Sequence, residues 1–116
     1  MDDISKSIRE LVLQTLTLIA TKEEQEKYQQ RMPAIDVPAE LFDQGGDCYF
    51  PEDFRFQAGF TSEELEALVQ FHEVFEVVSD SMPRELPSLE EFLETSAWDR
   101  LSAAARSTLR FLDTQS

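Results

Sequence analysis

The stretch from Thr61 to Met82, TSEELEALVQFHEVFEVVSDSM, constrains the fold of this chain more than any other. Thr61 stands three residues before Glu64. At that spacing a hydroxyl caps a helix start while the glutamate reaches back to the capping residue's own N–H. Pro83 closes the far end, because its ring clashes with a preceding helical turn. Between these marks Leu65, Leu68, Phe71, His72, Phe75, Val78 and Met82 recur at three- and four-residue steps, the period of an α-helix. At about 100° per residue they cover one side, while Glu63, Glu66, Glu73, Glu76 and Asp80 cover the other. Val69, Val74 and Val77 break the division, falling on or beside the acidic side. The pattern predicts a helix with one face in a core and the other a ridge of carboxylates interrupted by valines.

Charge extends this reading to the whole chain. Ten basic against 24 acidic residues give a net charge of −14, unevenly placed. Residues 1–31 carry −1, residues 32–99 carry −15 with only Arg55 and Arg84 as bases, and residues 100–116 carry +2. A field of this kind repels DNA and acidic membranes and speeds encounter with basic partners. Solubility alone is the plainer explanation, yet it does not require the middle of the chain to hold the entire excess.

The 116 residues make a single helical domain, 1–116, large enough for one core. Three glycines, abundant Leu, Glu, Gln and Ala, and no long β-branched alternation predict an all-α bundle of four to five helices. Cys48 is the only cysteine, which excludes an internal disulfide and a cysteine-rich zinc site. Acids at the start of MDDISKSIRE do not fit a signal peptide, and no stretch reaches the length of a membrane span. A cytoplasmic protein is expected.

Residues 3–31 read as one long first helix, capped by Asp2 or Asp3, with Ile4, Ile8, Leu11, Val12, Leu16 and Ile19 as its apolar stripe. Leu11–Ile19 also fits a strand, but helix formers flank it on both sides. In its second half Tyr28 is the only large apolar residue. From Met32 to Phe60, three prolines and three glycines predict an irregular segment with one short helix at Pro38–Phe42. The remainder holds Tyr49, Phe50, Phe54, Phe56 and Phe60, too much aromatic area for disorder. The plainer reading folds these rings over the end of a bundle. The sharper one leaves Tyr49 exposed beside Asp47, Glu52 and Asp53 as an aromatic–acid contact surface. A short hairpin through Cys48–Phe50 and Phe54–Phe56 is the alternative local structure. After Pro87, Ser88–Glu91 and Ser96–Asp99 repeat the capping pattern and start two further helices. The last has Trp98, Leu101, Ala105, Leu109 and Leu112 on its apolar face, with Arg100, Arg106 and Arg110 off it, free to pair with the central helix or stay in water.

No constellation here specifies a reaction. The pairs Glu63/Glu66, Glu73/Glu76 and Glu91/Glu94 place carboxylates on shared helical faces, as metal-dependent phosphohydrolases do. The only Glu-x-x-Asp pair, Glu40/Asp43, lies before the central helix, and the −15 segment offers no basic cluster to receive phosphate. His72 is the single histidine and points to the apolar side, so a part-buried structural role fits it best. Cys48 follows Asp47, which disfavours a thiolate. Neither a catalytic group, a cofactor site nor a metal site is expected.

The acidic face is what stands out, with Asp47, Tyr49, Glu52, Asp53, Glu66, Val69, Glu73, Glu76, Val77 and Asp80 as candidate partner-binding residues. Valines give a dry centre and carboxylates a steering rim. In size, acidity and lack of catalytic groups the chain resembles the small immunity proteins that bacteria make against toxins. That resemblance implies a non-catalytic inhibitor whose carboxylates occupy the active-site channel or an adjoining exosite of a basic, nuclease-like toxin, with no direct contact to nucleic acid or membrane. Two alternatives stay open: a nucleic-acid mimic that blocks a DNA-binding enzyme, and an adaptor or homo-oligomer paired through the apolar residues of the acidic face.

Overall fold

Three long helices frame the molecule, and the last in sequence holds the other two together. The computed structural model describes residues 3–47, 49–83 and 87–115. Among these residues the chain forms seven helices and no strand: α1 (Asp3–Ala20), α2 (Lys22–Arg31), α3 (Val37–Asp47), α4 (Phe54–Ala58), α5 (Ser62–Ser81), α6 (Leu89–Phe92) and α7 (Ser96–Gln115). Helix α7 packs along both α1 and α5, while α1 also meets α2, α3 and α4, and α6 rests on α3. One hydrophobic cluster runs through the molecule, joining Val12, Leu16 and Ile19 of α1 to Phe71, Phe75 and Val78 of α5 and Leu101, Ala105 and Leu112 of α7. No helix among the described residues is long and apolar enough to cross a membrane.

Helix α5 begins and ends where its sequence predicts. The Glu64 N–H donates to Thr61 Oγ1 at 3.1 Å, and the Thr61 N–H donates to Glu64 Oε1 at 2.8 Å. Met82 leaves the helix in extended conformation, as a residue before proline must. Ser88 caps α6 as expected. The cap of α7 is Thr95 rather than Ser96: Thr95 Oγ1 accepts from the Trp98 N–H at 3.1 Å.

The first helix is not continuous. Thr21 takes an extended conformation (φ −120°, ψ 109°) and separates α1 from α2. Side chains compensate for the interrupted ladder. Gln25 Nε2 donates to the carbonyls of Leu18 at 3.0 Å and Ile19 at 3.1 Å, and Arg106 Nη1 reaches the Ala20 carbonyl at 3.4 Å. The turn brings α2 against α3 and buries Gln25 completely. The apolar stripe of α1 is also rotated from the predicted one. Ile4 and Leu11 are exposed, whereas Ser5 and Thr15 are buried with Val12, Leu16 and Ile19.

The segment from Met32 to Phe60 is largely helical, and no hairpin forms among its described residues; Cys48 lies outside them. Helix α3 runs through Gly45 and Gly46, which the sequence marks as breakers. Packing reverses that preference at Gly45, where a β-carbon would run into the buried Phe75 ring. Gly59 serves a similar close approach, because a β-carbon there would meet the Ser5 carbonyl of α1. Asp53 caps α4 by accepting from the Arg55 N–H at 2.8 Å, so Phe54 and Phe56 sit on a helical turn instead of a strand.

Candidate partner-binding face

Helix α5 holds the candidate residues in line because its buried side is fixed by Leu68, Phe71, Phe75 and Val78. With that side inward, Glu66, Val69, Glu73, Glu76, Val77 and Asp80 all stand exposed on the opposite side, and Glu63 joins them at the first turn. Val69 is 42% and Val77 53% exposed, so two apolar side chains stand in water among five carboxylates. Helix α5 contains no lysine or arginine. Among the described residues no base forms a salt bridge with Glu63, Glu66, Glu73 or Asp80. Glu76 shares a hydrogen bond of 3.0 Å with Nε2 of His72. The arginines of α7 do not neutralise this face; Arg106 turns instead to the end of α1.

Val74, the third valine of the pattern, is part-buried against the core rather than on the ridge. Tyr49 does not stand free either. Its ring lies 4.2 Å from the His72 ring and meets Phe56 edge-on at 5.6 Å, which fastens the α3–α4 connection to α5. The exposed rings of that connection are Phe50 and Phe54. Burial first, then the charges of Glu73 and Glu76, holds the Tyr49 phenol above its ordinary pKa. Tyr49 thus flanks the acidic face through His72 instead of standing exposed on it.

The remaining candidates divide. Glu52 is exposed in the turn before α4. Asp53 is committed to its own helix, where Arg55 side-chain and backbone hydrogen bonds hold its carboxyl below the ordinary range. The side chain of Asp47 lies outside the described residues. Pro51, Tyr49, Glu76 and Asp80 border one depression, so the connection and the C-terminal half of α5 form a continuous surface. Among the described residues the Glu-x-x-Glu pairs do not assemble into a cluster of three or more potential metal ligands.

The most strongly held ion pair escaped sequence reasoning. Glu64, next to the acidic ridge but 2% exposed, receives both guanidinium nitrogens of Arg9, Nη1 at 3.0 Å and Nη2 at 2.9 Å. Arg9 Nη1 also donates to the Gly59 carbonyl at 3.0 Å, and the guanidinium lies 5.2 Å over the Phe60 ring. The capping pattern marked Glu64 as a local residue and carried no sign of a partner in α1. No protein-family model, curated protein or solved structure matches this chain, so its functional reading rests on this geometry.

Proposed function

We propose that this protein is a non-catalytic inhibitor of the immunity or antitoxin type, which neutralises a basic, nuclease-like toxin through the outer face of α5. One observation carries the reading: two exposed valines lie within a row of five carboxylates that no described lysine or arginine offsets. A surface meant only for solubility gains nothing from apolar side chains at its centre, and like charges at three- and four-residue steps weaken the helix that bears them. Both costs are recovered if a basic partner covers the face. Val69 and Val77 then lose water while Glu66, Glu73, Glu76 and Asp80 speed encounter and set orientation.

The test is capture of partners from native cells on the tagged protein at low salt, released by a salt gradient and identified by mass spectrometry. A stoichiometric basic protein, toxic when expressed alone, is the expected result. In the variant Glu73→Lys/Glu76→Lys, capture should be lost while helicity and melting stay close to wild type. Unchanged capture, or a neutral partner that resists high salt, overturns the reading. An adaptor role then becomes the better account.

A further inference from the structure

Beside the acidic ridge, the packed pair α5 and α7 borders an open trough of about 540 Å³. Phe71 and Val74 of α5 and Ala104 of α7 form its apolar floor, Glu63 and Glu66 stand exposed on one rim, and Ser107 and Phe111 line the other wall. Charge decides what the trough suits. None of the three arginines of α7 lines it; Arg106 and Arg110 border a different cleft, with Ala20 and Trp98. The described lining is therefore apolar and neutral polar apart from the two glutamates, with no cation to offset them.

We propose that this trough receives a basic amphipathic helix of the partner protein, an inference that rests on the acidic-face reading above. The lining runs from Glu63 to Val74 on α5 and from Ala104 to Phe111 on α7, walls of about 17 and 11 Å, or two to three helical turns. A helix laid between them completes a four-helix arrangement of which α1, α5 and α7 are already present. Its apolar side covers Val74 and Ala104, which are only part-buried, and the edge of Phe71 that lines the trough. Its lysines and arginines lay their aliphatic stems along the α5 wall and carry their charges to Glu63 and Glu66. A second copy of this acidic chain is a poorer occupant, because its net charge of −14 would meet the same glutamates.

The test uses the isotopically labelled protein and two synthetic peptides of about 18 residues, one a Lys/Leu/Ala amphipathic helix and the other its scrambled sequence. Amide shifts and affinities are followed at about 50 mM salt, where exposed charges still act over more than 10 Å. The expected result is shifts at Ala104 and Ser107, with affinity about tenfold higher for the amphipathic peptide than for the scrambled one. Ala104→Trp, which fills the trough, should remove that difference. Should this variant lose helicity, Ser107→Arg at the exposed rim replaces it, with the same loss expected.

Equal binding of both peptides, with shifts confined to the outer face of α5 and abolished by Glu73→Lys/Glu76→Lys, overturns the trough and leaves the acidic-face reading standing. No binding of either peptide overturns both. Ala104 and Ser107 shifts that follow protein concentration alone, with a dimer in sedimentation, give the trough to a second copy and likewise overturn the proposal.

Discussion

Arg9 and Glu64 lie 55 residues apart, yet their forked contact joins α1 to the start of α5 and draws in the Gly59 carbonyl and the Phe60 ring. Removing one member of a buried pair strands the other without water or a partner. Arg9→Ala should therefore cost about 3 kcal/mol in chemical denaturation, more than a surface charge change. Burial raises the Glu64 carboxyl, but hydrogen bonds from Arg9 and the Thr61 N–H outweigh it and leave the pKa below its ordinary value. A carboxyl whose pKa is lower folded than unfolded stabilises the fold above its unfolded value of about 4.3, and that contribution disappears as pH falls through the folded value. The melting difference between wild type and Glu64→Gln should be largest near neutrality and close on acidification below about pH 4. A difference that persists at low pH would mean the ionised pair is not its source. Residue by residue, the sequence revealed caps more readily than partners, because a cap is a three-residue pattern and this pair is a product of the tertiary fold.

At the level of elements, Gly45 and Gly46 are neighbours in sequence with opposite surroundings. A β-carbon at Gly45 runs into Phe75, whereas one at Gly46 meets nothing within 4 Å. Both glycines are helical, and neither has positive φ. Gly46→Ala should stabilise the protein by about 0.5–1 kcal/mol through helix propensity, and Gly45→Ala should destabilise it by about 1–3 kcal/mol through overpacking. Opposite shifts in denaturation midpoint would confirm the pair; equal shifts would mean that α3 does not bear on α5 at Gly45. This contrast also explains where the elements were legible. Amphipathic spacing and boundary residues marked α5, α6 and α7 closely. The glycine pair hid the length of α3, and the break at Thr21 is stabilised by Gln25 and Arg106, whose reach the local pattern does not show.

Over the whole molecule, the segregation of charge survives folding. Apart from Glu64, which is buried against Arg9, the carboxylates of α5 stay exposed on one face, and Arg106 and Arg110 border a cleft lined from α1, α2 and α7. Repulsion within the acidic face opposes folding and is screened by salt. Melting temperature should thus rise by a few degrees between about 20 and 300 mM sodium chloride, and less in Glu73→Gln/Glu76→Gln. A flat salt response would show that the carboxylates do not strain the fold. The acidic excess was plain in the sequence, as was the helical class. The role of α7 between α1 and α5 was not, since its apolar stripe names no neighbour.

That role of α7 also bears on synthesis. Arg106 and the Ala20 carbonyl it reaches are separated by 86 residues, and the cluster around Leu101, Ala105 and Leu112 is what α1 packs against. During translation at about 5–20 residues per second, α1 leaves the ribosome several seconds before α7 exists. Until then the side of α1 that packs on α7 is uncovered. The nascent chain must hold that surface without a complete core, which ties completion of the fold to the arrival of α7.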